Sequence, residues 1–545
     1  MYTKKVFLTL FILSLSNHII LSEQQAHQSL LQWFKGLFIT DKKTKKFQEA
    51  VTASIATGKP LDLKAFYHAK ENQAASSITN PTDSARKFKT AIINSAKKGG
   101  IMERFKNSPE KFLLGASSSS YQYEGGLDGN NANAVFYKSK KLPMAGDAIN
   151  FWNKYKSDIQ QMKNELGINS FRLSIAWERV QPDKEVWDIS AIHKYVTIIK
   201  TLKEYNIEPI VVLHHYTIPQ WFAELGGFEK AANITYFVEF AKKMYTALHK
   251  DVTYWSTFNA IEGYAFKGYY TLDGPPGTKK SLITTQKVML NMLSAHAQVY
   301  QAIKGKTRMF FTEPGLYQKY KPHNPLIPNP QIGIQKNIVL FDPFENKNTS
   351  FCEKKGSQFI CGFSSLLNNT MFFKLIRYKY SDLIDWIGLN IYSNMFMLYA
   401  ERQEETEEDR KTENLNYRDY PEGIYRAVKI INDKIARPLN IPIIITENGI
   451  ATKNDPSGNE KRTRFFRRAL YTIRKLIEEG YPIIGYTPWS SHDNYEWPSQ
   501  KQANPHDRPY GIFAVDFDNP VLPRTLKEGA EYYRDFIKEY LKKEQ

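Results

Sequence analysis

The sequence predicts an α/β fold, a (β/α)8 TIM barrel with long loops, and three observations predict it. From residue 112 onward, short apolar runs alternate with amphipathic stretches of helical period, the pattern of a parallel sheet with crossover helices. Eight such runs fit between residues 112 and 490. Polar and charged side chains gather at the C-terminal ends of these runs, the face that carries the active site in such barrels. A chain of 545 residues, 42% hydrophobic and 24% charged, can bury the core this requires.

In order, the strand candidates are 112–116, 170–176, 209–215, 253–259, 308–312, 384–392, 441–447 and 483–490. Between them, apolar residues recur with helical spacing over 155–166, 192–205, 237–249 and 462–479. The strand-end residues are Arg172, His215, Asn259, Asn390, Tyr392, Glu447 and Trp489. A doubly wound sheet is the alternative, but no Gly-rich turn follows the first run and eight units are many for that architecture. The stretch 313–369, rich in Pro, Asn and Lys, reads as an extended loop after the fifth strand.

Residues 1–22 read as a signal peptide: Lys4 and Lys5 precede the apolar run 6–13, and Ser22 offers a small-residue exit. An uncleaved anchor is the weaker reading, because Asn17 and His18 interrupt the run well short of the ~20 residues that span a bilayer. Secreted or periplasmic placement is therefore expected, with no integral membrane segment after cleavage. Residues 23–105 are rich in Lys, Ala and Ser, with an apolar cluster at Leu30, Leu31, Trp33, Phe34 and Leu37. They form an N-terminal extension, helical or disordered, ahead of a barrel at 106–545.

The net charge of +18 attracts anionic polymers and surfaces. The lysines are scattered rather than focused beside aromatic platforms, so no nucleic-acid partner is expected. The two cysteines, Cys352 and Cys361, have no metal-site spacing and either close a small loop or stand as free thiols. Sequons occur at Asn233, Asn348 and Asn368. The segment 274–281 imitates a phosphate-binding loop, but Lys279 stands where a second glycine must let the backbone wrap phosphates, so it reads as a surface loop.

Two strand ends carry chemistry. The run Ile443-Ile444-Ile445 delivers Thr446-Glu447-Asn448-Gly449, and a carboxylate at the mouth of an apolar strand is well placed as a nucleophile. Read alone, Asn-Gly there also marks a strand-end turn. The other end is Thr257-Phe258-Asn259, followed by Ala260.

Together the segments FLLGASSSSYQYE (112–124), FRLSIAW (171–177), TFN (257–259), DWIGLNIY (385–392), TENG (446–449) and WSSHDNYEW (489–497) resemble glycoside hydrolase family 1, the β-glucosidase family. The resemblance runs from residue 112 to about residue 540. It implies a retaining mechanism on β-linked sugars without metal or organic cofactor, the partner being a carbohydrate. Retention needs two carboxyl groups ~5 Å apart, one attacking the anomeric carbon and one serving as acid and then base. Glu447 matches the nucleophile, with Arg172 and Tyr392 as its supports. Gln122, His215, Asn259 and Glu496 match the groups that bind glycone hydroxyls, and Trp489 and Trp497 the indoles lining that pocket. Relatives that accept 6-phosphorylated sugars usually replace Glu496, so unphosphorylated glucosides or related sugars are expected.

Position 260 departs from the family, which has the acid/base Glu where this chain has Ala, followed by Ile261 in place of the usual Pro. General acid catalysis is typically worth ~10² to 10⁴ in rate. The expectation is a β-glucosidase-like hydrolase with impaired or relocated acid/base catalysis, or else a carbohydrate-binding pseudoenzyme. Two carboxylates are candidates for relocation: Glu262, which shares the inward parity of position 260 if the chain stays extended, and Glu313, which follows the fifth strand candidate. Tyr216 and Thr217, where the family usually has Trp and Asp, and Asn150-Phe151, near its usual Asp-His, are smaller departures.

Overall fold

Eight parallel strands close into a barrel: β1 (Leu113–Ser117), β2 (Ser170–Ser174), β3 (Glu208–Val212), β4 (Tyr254–Asn259), β5 (Gln331–Asn337), β6 (Trp386–Asn390), β7 (Ile443–Glu447) and β8 (Ile483–Tyr486). Each pairs with the next in sequence and β8 returns to β1. The structure, a computed structural model, describes residues 81–98, 112–277, 281–305, 329–343, 369, 371–397, 419–499 and 503–542.

Alternation along the strands sorts their side chains. Phe171 and Leu173 join the core shared with the outer helices, while Arg172 between them enters the barrel. The barrel interior holds an apolar layer of Leu113, Ile210, Tyr254, Trp386 and Ile444. Gly333 belongs to that layer for steric reasons, since a Cβ there would lie 2.5 Å from the Trp386 ring. Toward the C-terminal strand ends the interior turns polar, with Arg172, Asn259, Gln335 and Asn390 bonded to one another.

The outer layer includes α1 (Pro81–Lys98), α2 (Phe151–Gln161), α3 (Ile189–Glu204), α4 (Ile234–Leu248), α5 (Ile261–Phe266), α6 (Leu282–Lys304), α7 (Gly423–Ile431), α8 (Pro456–Glu478) and α9 (Glu531–Leu541). Caps set several starts. Asp188 accepts from Ala191 N–H ahead of α3, Ser281 from Thr284 N–H ahead of α6, and Asp455 from Gly458 N–H ahead of α8, where Pro456 takes the first turn. The periodic stretches 192–205, 237–249 and 462–479 begin a few residues late; for α8 the first turn, Pro456-Ser457-Gly458-Asn459, carries no apolar period.

Helix α1 falls inside the stretch the sequence sets apart as an extension. It buries Ala85, Phe88 and Ala91, and the Phe88 ring meets Phe112 and Phe536 edge-on at 5.0 Å each. This helix is therefore part of the barrel's outer layer. The signal-peptide run 1–22, residues 23–80, Cys352, Cys361, Asn348 and Asn368 lie outside the described residues. Asn233 is buried, its amide donating to the Leu225 and Gly227 carbonyls at 3.1 Å each. No helix among the described residues is long and apolar enough to cross a membrane.

The fifth strand corrects the sequence reading. It is Gln331–Asn337, and the apolar run 308–312 chosen for it lies outside the described residues. The true strand carries Gln335, Lys336 and Asn337 among its few apolar residues, so its signal is dilute; Arg172 inside the barrel partners Gln335, and Glu262 on α5 partners Lys336 and the Asn337 N–H. The stretch 313–369 is accordingly no single loop after strand five, since it contains that strand and a further one, Leu340–Pro343, paired in parallel with Asn394–Met397.

Candidate active site

The site is built around one buried guanidinium. Arg172, on β2, has no exposed surface, and a cation taken from water needs partners to offset the loss. Its Nη2 lies 2.8 Å from Glu447 Oε1 at the end of β7 and donates at 2.8 Å to Asn259 Oδ1 at the end of β4. Its Nε donates at 2.9 Å to Gln335 Oε1 on β5. The Tyr392 hydroxyl, just past β6, donates at 2.7 Å to Glu447 Oε2. Both carboxylate oxygens of Glu447 are thus held, one by a cation and one by a hydroxyl. Burial, then the Glu447 charge, pushes the Tyr392 phenol well above its usual pKa and keeps it a donor.

Asn259 links the next group. Its Oδ1 accepts from Arg172 and from Asn390 Nδ2, the latter at 2.7 Å, so its amide nitrogen must face His215 Nε2, 3.2 Å away. Burial, reinforced by Arg172, pushes His215 well below its ordinary pKa, so it stands neutral with Nε2 accepting. The His215 ring lies 5.8 Å from the Trp489 indole, which donates at 2.8 Å to Glu496 Oε1. Trp497 stacks on Tyr121 at 5.7 Å and meets Tyr216 edge-on at 5.8 Å. Gln122, from the turn Ser120–Tyr123, gives its amide to Asn494 Oδ1 and the Tyr495 carbonyl, tying β1 to the loop that bears Glu496.

Arg172, His215, Asn259, Tyr392 and Glu447 therefore meet directly, and Trp489, Glu496, Trp497 and Gln122 adjoin them. Gln335 was invisible in the sequence because its strand was placed elsewhere. The polar character of Ile334-Gln335-Lys336-Asn337 at a strand end was the available signal.

At Ala260 the chain turns with φ 48° into α5, its N–H donating at 2.9 Å to the Gln335 carbonyl. This corrects the premise for Glu262: helix begins at Ile261, so the inward parity of an extended chain ends at Asn259. Glu262 is buried, and its Oε1 accepts from Asn337 N–H at 2.8 Å and pairs with Lys336 Nζ at 3.0 Å. Glu313 lies outside the described residues, and in sequence it precedes β5 rather than following the fifth strand.

A second buried acid faces Thr217. Glu178 accepts from the Asn131 amide, and the Thr217 hydroxyl donates to its other oxygen at 3.4 Å. Burial raises Glu178 from 4.5 to about 7, partly offset by the Thr217 hydrogen bond. Between those values the folded protein holds a proton that the unfolded chain has released, so stability falls as pH rises through that window. Glu178→Gln keeps the shape and the Asn131 contact while removing the titration. Unfolding curves are expected to show the variant more stable by about 2 to 3 kcal/mol above pH 7 and level with the parent near pH 4. An unchanged pH slope would refute this.

The arrangement has counterparts among known proteins. The chain is 26% identical over 475 residues to the 6-phospho-beta-galactosidase of Staphylococcus haemolyticus (strain JCSC1435), covering 79% of this chain and 98% of that protein. It is 27% identical over 507 residues to Beta-glucosidase 24 of Arabidopsis thaliana, covering 79% and 90%. Among solved structures it matches the beta-glycosidase from Pyrococcus horikoshii with a TM-score of 0.64 and 29% identity, over 80% of this chain and 97% of that one. The profile of Glycosyl hydrolase family 1 matches residues 104–541, which include every strand of the barrel and every side chain of the site just described. With barrel, strand-end carboxylate and profile in agreement, the chain belongs to glycosyl hydrolase family 1.

Proposed function

We propose that the protein is a retaining β-glycosidase acting on unphosphorylated β-glucosides or related O-glycosides, with Glu447 as nucleophile and acid/base catalysis impaired by Ala260. The observation that carries this reading is the grip of Arg172 and Tyr392 on both oxygens of Glu447. A carboxylate so held attacks the anomeric carbon as the bond to the aglycone oxygen breaks; water then displaces Glu447, and two inversions give net retention. The methyl group of Ala260 gives no proton to the leaving oxygen. Glu262 is engaged with Lys336 and Asn337, which favours impairment over relocation to it.

The relatives' names divide between phosphorylated and plain sugars. Glu496 favours plain ones: burial raises it to about 7, and above that pH its carboxylate beside Trp489 repels a phosphate dianion. The alternative is a carbohydrate-binding pseudoenzyme, favoured by the alanine itself. Incubation with 2,4-dinitrophenyl 2-deoxy-2-fluoro-β-D-glucoside separates the two, because its leaving group needs no proton. A fluoroglycosyl adduct is expected by mass spectrometry on the peptide bearing Glu447, and none on Glu447→Gln. An unlabelled protein that is folded and still binds sugar would be the pseudoenzyme.

A further inference from the structure

Gln335, in the C-terminal half of β5, is fully buried inside the barrel, where its Oε1 accepts from Arg172 Nε at 2.9 Å and from Arg172 Nη2 as well. The neighbouring strand makes room for it. Gly388 on β6 is its register partner, and a Cβ there would stand 2.5 Å from Gln335 Cγ. A side chain at 388 and the glutamine at 335 therefore exclude each other.

The other half of the amide has no such partner. Gln335 Nε2 is buried, and no hydrogen bond from the described residues engages it. A buried donor left unmade costs stability, so what the amide contributes here is its carbonyl oxygen. Arginine only donates, which turns that oxygen toward the guanidinium. Glutamate would accept the same two bonds without an orphaned NH2, but it would set a second negative charge on the cation that balances Glu447.

The donors of Arg172 are divided unequally. Gln335 takes its two-pronged edge, Nε and Nη2, while Nη2 alone goes on to Asn259 Oδ1 and Glu447 Oε1, each at 2.8 Å. Nη1 has no hydrogen-bond partner among the described residues, so no contact on that side helps to orient the group. A guanidinium is planar and rigid, and holding its edge sets the direction of the N–H that meets Glu447.

We propose that Gln335 is a positioning residue for the nucleophile: a neutral acceptor, seated in the space left by Gly388, that aims Arg172 at Glu447 Oε1 and leaves the guanidinium charge to that carboxylate. The proposal rests on the reading of Glu447 as nucleophile and adds the residue that sets its counter-charge in place.

The test is the rate of labelling by 2,4-dinitrophenyl 2-deoxy-2-fluoro-β-D-glucoside, followed by mass spectrometry against reagent concentration and pH. Gln335→Met fills the seat without an acceptor. Its saturating labelling rate is expected to fall about 10- to 100-fold, the effect of a reacting group misplaced by ~1 Å, with the half-saturating concentration within about threefold of the parent. Gln335→Glu keeps both bonds from Arg172, but two carboxylates then share one guanidinium. The new one holds the two-pronged edge, so the proton they share stays on Glu447 to higher pH, and the acid limb of the labelling rate is expected to move up by about 1 pH unit or more. Arg172, Tyr392 and Glu496 bear on Glu447 in parent and variant alike, and His215 stays neutral, so the shift reads residue 335. Melting curves check folding, and should Gln335→Met not fold, the pH dependence of Gln335→Glu decides. A purely structural role would lower the melting temperature and leave rate and acid limb alone. Parental labelling by folded Gln335→Met, a loss confined to the half-saturating concentration, or an unmoved acid limb in Gln335→Glu would each overturn the proposal while leaving the glycosidase reading intact. Failure of the unmodified protein to label would overturn both.

Discussion

Ala260→Glu is expected to raise kcat/KM for unactivated alkyl β-glycosides by ~10² to 10⁴, the usual worth of general acid catalysis. The physical case rests on the backbone as well as the chemistry. Ala260 already carries a Cβ at φ 48°, a conformation that costs L-residues ~1 to 2 kcal/mol, so glutamate inherits that strain without adding to it. Its neighbours, Asn259 and Gln335, are fixed by Arg172, which holds the strand end still. The unmodified protein should show the complementary behaviour with an aryl glycoside whose leaving group needs no acid. The glycosyl-enzyme forms, water attacks it slowly because no base assists, and the intermediate accumulates. Azide needs no base, so adding it should speed turnover and yield the β-glycosyl azide. Rapid hydrolysis of alkyl glycosides by the unmodified protein, with no azide effect, would mean that another acid serves and would sink this account.

Arg172→Met is expected to destabilise the fold by about 3 to 5 kcal/mol and to abolish labelling of Glu447. One fully buried cation serves Glu447, Asn259 and Gln335, side chains from three strands. Methionine fills much of the volume but leaves Gln335 Oε1 without its donor and the Glu447 carboxylate without its counter-charge. Both losses occur away from water, where an unpaired group costs most. Arg172→Lys should recover only part of the loss, because a single ammonium cannot hold three acceptors in the fixed fork of a guanidinium. Urea unfolding at pH 7 measures both, and a midpoint for Arg172→Met equal to that of the parent would refute the account.

Much of the barrel was legible because strands buried on both faces read as continuous apolar runs and their crossover helices as amphipathic periods. Ile443-Ile444-Ile445 before Glu447 and Ile210-Val211-Val212 before His215 are such runs. The strand Gln331–Asn337 escaped because its C-terminal end, Gln335-Lys336-Asn337, is polar, and a polar strand makes sense only once its partners are known. Gln335 is paid for by Arg172, which is 163 residues away in sequence. Helix was one of the two readings for the extension, but the docking of α1 on the barrel escaped for a related reason: its alanines and Phe88 become core only against Phe112, Phe536 and Tyr540.

By itself the sequence determined the barrel, the alanine at position 260, and a set of polar residues in or just past its strands, Glu447, Arg172, His215, Asn259 and Tyr392, that the structure brings together. These are local facts, set by the period of the chain and the order of its motifs. Tertiary structure alone decided who serves whom. It placed Glu262 against Lys336 by starting a helix at Ile261, set the buried Glu178 opposite Thr217, and set the Lys267 ammonium over the Tyr216 ring. The reason is energetic: a buried charge or amide is tolerable only with its partner in reach, and in a barrel that partner comes from another strand or loop, at a separation that no local pattern records.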